Sequence, residues 1–125
     1  MSDRIRELLN RNLQQVFGEG DAGRRREAIE ELYTDDCVLD VPPGAFVEHD
    51  ALDKFAGDLR ATHPQFAYTP HGEPQALHNA GRLAWVSGPR GEEPDYTGVD
   101  VIIVRADKIA ALYVFLDSRP SSAAR

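Results

Sequence analysis

The first seventeen residues carry a clear helical pattern. Apolar side chains recur three and four positions apart, at Ile5, Leu8, Leu9, Leu13, Val16 and Phe17. This spacing predicts an amphipathic helix that begins at Ser2 or Asp3 and ends at Gly18, with Asn12 as the one polar residue on its apolar face. Two further helices are predicted, one from Asp21 to about Tyr33 and one that Asp50 caps and His63 closes before Pro64.

The rest of the chain is typical of β-strands. A short strand is predicted at residues 37–41, where Pro42 and Pro43 end it. The other strands follow the third helix: one at 65–69 with a continuation to 77 or 78, one at 82–86 after a turn at 79–81, and two at 97–105 and 108–117. The last two form an antiparallel hairpin around the short polar break at 106–108. Helices followed by antiparallel strands predict a single α+β domain over residues 1–118, whose sheet curves around the helices. We expect residues 119–125 to form a disordered tail.

Composition narrows the class of protein. The chain has 125 residues and a net charge of −7, which disfavours binding to nucleic acid or to an anionic membrane surface. Cys37 is the only cysteine, so neither an internal disulfide nor a thiolate zinc site is expected. The sequence shows no signal peptide or membrane span, and we expect a cytoplasmic protein. No motif indicates a cofactor or a metal site.

One acid interrupts the apolar strand at residues 97–105. Asp100 lies among Val99, Val101, Ile102 and Ile103. Two interpretations are open. Asp100 is either a buried acid that hydrogen-bonds to a Tyr, a Trp or a backbone amide for structural reasons, or a functional group whose pKa is raised because an apolar pocket desolvates it.

Four short phrases resemble a known superfamily. They are the sequences at residues 33–37 (YTDDC), 98–101 (GVDV), 107–109 (DKI) and 115–117 (FLD). In this order they resemble the nuclear-transport-factor-2-like superfamily, especially its SnoaL-like polyketide cyclase and ketosteroid isomerase branches. The resemblance implies a cone-shaped, curved antiparallel or mixed sheet wrapped around three N-terminal helices, the cystatin-like or SnoaL-like α+β barrel. It also implies a deep apolar pocket and a homodimer that pairs through the outer sheet face.

The catalytic residues that the resemblance implies are incomplete here. The carboxylate base of the ketosteroid isomerases corresponds to Val41, and their helix tyrosine corresponds to the region of Asn12. Only their third group, a protonated acid that donates to an oxyanion, has a counterpart, Asp100. The His and Asp of the SnoaL-like cyclases correspond to Leu112 and Val114, which cannot transfer a proton.

We therefore predict a small-molecule-binding domain with a mostly apolar pocket and Asp100 as its polar anchor. The predicted pocket residues are Leu39, Val41, Tyr68, Trp85, Ile102, Leu112, Val114 and Leu116. For two of them another interpretation is open, since Tyr68 could instead contact the dimer partner and Trp85 could serve packing alone.

Two other functions remain open. One is a cofactor-independent isomerase, cyclase or hydratase acting on a small hydrophobic substrate, with Asp100 as acid or hydrogen-bond donor and His71 as base. His71 lies at a bend rich in proline and glycine, and its alternative interpretation is an exposed loop histidine. The other function is a non-catalytic dimeric interaction module.

Overall fold

Three helices precede or separate the strands. The structure is a computed structural model that describes residues 2–117. Its α-helices are α1 (Ser2–Arg11), α2 (Ala22–Leu32) and α3 (Glu48–Thr62), and a π-helical segment, Asn12–Phe17, continues α1. The predicted tail at 119–125 lies outside the described residues.

The sheet has seven strands and mixed directions. They are β1 (Tyr33–Val41), β2 (Gly44–Val47), β3 (Phe66–Pro70), β4 (Gln75–Leu77), β5 (Ala80–Pro89), β6 (Tyr96–Arg105) and β7 (Lys108–Leu116). Their order is β2-β1-β7-β6-β5-β3, and β4 also pairs with β5. Only β1 and β7 run parallel among the pairs in residues 2–117. The predicted α+β fold with a curved, mixed sheet is confirmed, but the sheet is open and does not close into a barrel.

The first helix changes its geometry at Asn12. The backbone N–H of Gly18 donates to the carbonyl oxygen of Leu13 at 2.9 Å, a bond that spans five residues and defines a π-helical turn. This wider turn buries Asn12 together with Leu13, Val16 and Phe17. The predicted apolar face is therefore confirmed, although its second half is not an ordinary α-helix.

Two element boundaries differ from the prediction. Tyr33 has an extended backbone and begins β1, so α2 ends at Leu32 and the strand starts four residues before the predicted Cys37. Helix α3 begins at Glu48, which places Asp50 in its first turn and not at the cap. Asp21, in contrast, caps α2 as predicted, and its carboxylate accepts a hydrogen bond from the backbone N–H of Arg24 at 2.8 Å.

Glycines and prolines misled the prediction of strand lengths. Gly81 is not part of a turn but a buried residue of β5, where a Cβ atom would lie 2.3 Å from Cγ2 of Ile5. Its missing side chain lets α1 pack directly on the sheet. Similarly, Pro42 and Pro43 end β1 as predicted, yet they form a tight turn into β2, which was not predicted.

Candidate functional site

A pocket of about 310 Å³ lies between the helices and the inner face of the sheet. Its helical wall is apolar and consists of Leu13, Phe17, Phe55 and Leu59. Three lining residues are exposed and border the opening, namely Pro42, Pro43 and Leu116. This volume is at the lower end of the range of about 300–1,000 Å³ for small-molecule sites.

The sheet wall consists of alternate residues on neighbouring strands. Because side chains alternate between the two faces of a strand, Tyr96 and Asp100 point to the same side of β6. The same alternation brings Trp85 and Ser87 of β5 and Tyr68 of β3 to the pocket. All of the wall's polar side chains come from this alternation, except that of His63, which follows α3.

Asp100 is the one acid among the described residues that line the pocket, and 3% of its surface is exposed. The indole N–H of Trp85 donates to its Oδ1 at 2.9 Å, and the amide of Asn12 donates to its Oδ2 at 3.5 Å. Asn12 in turn accepts a hydrogen bond from the hydroxyl of buried Tyr33. A connected set of polar groups therefore fixes the orientation of the Asp100 carboxyl.

The carboxyl group of Asp100 changes its charge near neutral pH. Burial raises the pKa of its carboxyl from 3.8 to about 7, although the hydrogen bonds from Trp85 and Asn12 favour the ionised form. The carboxyl therefore donates a hydrogen bond when protonated and only accepts when ionised. Asp100 bonds to a tryptophan, as one sequence-based interpretation expects, and it also lines the pocket, while its functional role stays a prediction.

Trp85 is held in place by a glycine on the next strand. Gly98 pairs with Trp85, and a Cβ atom on Gly98 would lie 2.5 Å from Cζ2 of the indole. The ring of Tyr68 meets the indole edge-on at a centroid distance of 5.4 Å. Trp85 therefore serves packing and also lines the pocket, with its N–H directed at Asp100.

An aromatic cluster forms a second part of the wall. His63 stacks on Phe66 with a centroid distance of 4.4 Å, and both rings lie 6.2 Å from the ring of Tyr96. His63, Ser87 and Tyr96 were not predicted from the sequence as pocket residues. Ser87 lies on the same strand face as Trp85, and Tyr96 lies on the same strand face as Asp100. The alternation of side chains along each strand would therefore have identified both. His63 was interpreted only as a helix end.

The predicted pocket residues fall into two groups. Val41, Tyr68, Trp85, Asp100, Val114 and Leu116 line the pocket. Leu39, Ile102 and Leu112 are fully buried in the core and do not line it. These three form one row across β1, β7 and β6, two residues beyond Asp100 along β6. They point inward as predicted, but the helices cover them completely.

His71 is exposed and does not line the pocket. It follows the last residue of β3, an edge strand, and its backbone N–H donates to the carbonyl oxygen of Ala84 at 2.8 Å. The bend at residues 70–74 therefore lies along the sheet edge. The structure does not bring His71 together with Asp100.

Other kinds of site find little support among residues 2–117. No three His, Cys, Asp or Glu side chains there are grouped so that they could hold a metal ion. Cys37 is buried, and burial raises the pKa of its thiol to about 11, which disfavours the reactive thiolate. None of the helices in this part of the chain has the length and apolar character needed to cross a membrane.

The sequence pattern of the SnoaL-like domain family matches residues 11–112. This range includes most of the fold and nearly all residues that line the pocket. The chain therefore belongs to the SnoaL-like domain family. A comparison with curated protein sequences gives no significant match.

Solved structures share the fold at low sequence identity. A presumed isomerase of the SnoaL-like family from Agrobacterium tumefaciens is 18% identical, with a TM-score of 0.86 over 93% of this chain and 99% of that one. A presumed SnoaL-like polyketide cyclase from Jannaschia sp. is 12% identical, with a TM-score of 0.78 over 93% and 87%. A presumed ketosteroid isomerase from Kribbella flavida is 14% identical, with a TM-score of 0.71 over 94% and 80%. At these identities the likeness shows the fold alone.

Proposed function

We propose that this protein binds small, largely apolar molecules in the pocket and anchors one oxygen atom of the ligand through Asp100. The observation that carries the proposal is a buried carboxyl that lines an otherwise mostly apolar pocket. An apolar wall favours an apolar ligand body, and one fixed polar group orients it.

The hydrogen bonds around Asp100 favour an anchor role. Trp85 and Asn12 each occupy one carboxyl oxygen, so the group is oriented before a ligand arrives. A protonated Asp100 donates to a ligand carbonyl, and an ionised Asp100 accepts from a ligand hydroxyl. With its pKa at about 7, Asp100 can take either form under ordinary conditions.

The position of His63 favours binding over catalysis. An isomerase or cyclase needs a base close to the atoms that the acid polarises. His63 contacts Phe66 and lies near Tyr96, and Tyr96 is four residues from Asp100 along β6, which corresponds to about 13 Å. Among the described residues, His63 forms ring contacts in the aromatic cluster and Asp100 bonds to Asn12 and Trp85, so no contact pairs His63 with Asp100 as base and acid. The sequence-based pairing of Asp100 with His71 gains no support either.

The outer sheet face supports a homodimer as part of this proposal. Tyr113 and Phe115 point away from the pocket-lining Val114 and Leu116, and 59% of the surface of Phe115 is exposed. Exposed aromatic side chains on the outer face of a sheet are typical of an interaction surface. We propose that a second copy of the chain covers them.

Benzophenone provides a direct test of the pocket. It is apolar, carries one carbonyl oxygen and does not titrate. Trp85 is the only tryptophan, so its indole N–H signal in an NMR spectrum reports both the pocket and the bond to Asp100. At pH 6 we expect a saturable shift of this signal. Asp100→Asn should bind roughly threefold to tenfold more weakly, because an amide donates a weaker hydrogen bond than a carboxylic acid.

Asp107→Asn is the matched control. Asp107 lies in the exposed turn between β6 and β7 at a φ of 64°, a conformation that asparagine tolerates. This variant should bind benzophenone like the wild type. Equal affinities for all three proteins would show that Asp100 is not the anchor, and no saturable shift in the wild type would contradict the pocket itself.

A further inference from the structure

Three residues that carry hydroxyl groups form a row across three neighbouring strands, and the member on β6 is four residues from Asp100. Tyr68 of β3 pairs with Ser87 of β5, and Ser87 pairs with Tyr96 of β6. All three residues line the pocket. Directly paired residues on one sheet face hold their side chains about 5 Å apart, so the three hydroxyl-bearing side chains form one polar patch.

Ser87 is the central and least satisfied member of this row. Only 3% of its surface is exposed, and its hydroxyl forms no hydrogen bond of good geometry with a described residue, although it lies close enough to the Tyr68 phenol to oppose in part the rise of that group's pKa. Leaving a buried hydroxyl without a partner is unfavourable, and a ligand atom in the pocket can supply the missing bond. Burial also raises the pKa of the neighbouring Tyr68 phenol, which therefore remains a neutral hydrogen-bond donor.

The spacing of the two polar sites is set by the strand. Tyr96 and Asp100 lie on the same face of β6 and are four residues apart, which corresponds to about 13 Å between their backbones. Trp85 lies on the inner face of β5 between Ser87 and Leu83, the partner of Asp100. The wall between the two polar sites thus includes the indole of Trp85, and the helical wall contributes phenyl rings and leucines.

We propose that Tyr68 and Ser87 form a second polar subsite, and that the ligands of this protein are elongated, rigid, mostly apolar molecules with an oxygen substituent near each end. One oxygen bonds to Asp100 and the other bonds to the hydroxyl row. The inference rests on the proposed small-molecule function and adds to it the shape and the polarity of the ligand.

Three probes that share one biphenyl frame test this inference: biphenyl, para-phenylphenol, and the biphenyl diol with a hydroxyl at each para position. The wild type should bind the diol roughly threefold to tenfold more tightly than the monophenol, because one more hydrogen bond forms. This preference is counted after correction for the diol's symmetry, which by itself gives two equivalent ways of binding. Ser87→Ala and Tyr68→Phe should each reduce this preference. Neither substitution should change the affinity for the monophenol, because its hydroxyl bonds to Asp100 in the better-bound orientation.

Tyr113→Phe is the matched control for Tyr68→Phe, because Tyr113 lies on the opposite sheet face and does not line the pocket. It should keep the full preference for the diol. Asp100→Asn tests the proposed function separately and should weaken the monophenol and the diol alike.

The outcomes separate the two proposals. If the diol and the monophenol bind equally well to the wild type, or if the preference survives in both Ser87→Ala and Tyr68→Phe, the second subsite is refuted while the Asp100 pocket stands. If none of the three probes binds to the wild type, the small-molecule function fails and the second subsite fails with it.

Discussion

The carboxyl group of Asp100 stays protonated at pH values where most aspartates are ionised, because burial raises its pKa to about 7. The same burial links the charge of this residue to the stability of the fold. In the unfolded chain the ordinary pKa is 3.8. The folded state therefore binds the Asp100 proton more tightly than the unfolded state does, and this proton favours folding at low pH.

We predict that this contribution is fully present below about pH 4 and is lost as the pH rises through 7. The loss is on the order of 4 kcal/mol in the free energy of unfolding, since each pKa unit corresponds to about 1.4 kcal/mol. An asparagine side chain at position 100 carries no charge at any pH, so the Asp100→Asn variant should not lose this stability.

Urea unfolding of both proteins between pH 4 and pH 8 checks the prediction. The difference in stability between wild type and Asp100→Asn cancels the contributions of the other titrating groups. It should shift steadily in favour of the variant up to about pH 7 and then stay constant. A difference that does not change with pH would contradict the raised pKa.

At the scale of single residues, the sequence singled out the acid that lines the pocket but not its surroundings. Asp100 was found because an acid is rare in an apolar strand. Its bond to Asn12 was not predictable, because it depends on a π-helical turn and on long-range packing. His63 was missed because its neighbour Pro64 already explained the end of the helix.

At the scale of secondary-structure elements, the contact between β5 and β6 depends on the missing side chain of Gly98. A Cβ atom there would lie 2.5 Å from the indole of Trp85 and 3.0 Å from the carbonyl oxygen of Phe115. We predict that Gly98→Ala destabilises the fold by about 1–3 kcal/mol through overpacking, and displaces the indole from Asp100.

Thermal or urea unfolding measures the stability change, and the Trp85 indole signal measures the displacement. Gly20→Ala is the matched control, because nothing lies within 4 Å of a Cβ atom at this position. The control should change stability by less than about 0.5 kcal/mol. Equal effects of both substitutions on stability and on the indole signal would show that the close approach of Trp85 to Gly98 determines neither.

The elements themselves were predictable where one physical signal dominated. The helical period identified α1 and α3, and the β6–β7 hairpin followed from two apolar runs around a short polar break. The prediction failed where one residue type can serve two different structural roles. Gly81 was interpreted as a turn residue although it allows helix–sheet contact, and the prolines at 42 and 43 obscured the short strand β2.

At the scale of the whole molecule, the outer sheet face determines how the proposed dimer forms. We predict that the wild type is a dimer and that Phe115→Glu is a monomer, because a buried, unpaired carboxylate in the interface is strongly unfavourable. Ala22→Glu is the matched control, since Ala22 is exposed in the first turn of α2, away from the sheet, and should not affect association.

Sedimentation equilibrium measures the mass of each protein. A monomeric wild type would contradict the proposed dimer. A dimeric Phe115→Glu variant would place the interface on another surface.

The overall architecture was predictable because the resemblance covers nearly the whole chain, and both the family match and the solved structures agree with it. The open sheet was the one correction to it. The ligand was not predictable in the same way, because one fold can support different functions. The side chains that would select the ligand also lie on several strands. Tyr68, Ser87 and Tyr96 form a row only after β3, β5 and β6 have paired.

The pH dependence of benzophenone binding tests the central claim most directly. A carbonyl oxygen can accept a hydrogen bond from Asp100 only when the carboxyl is protonated. The affinity of the wild type should therefore be constant at low pH and should fall as the pH rises through about 7, whereas Asp100→Asn should bind with the same affinity throughout. A wild-type affinity that is independent of pH, or an identical pH dependence in the variant, would contradict the role of Asp100 as the anchor.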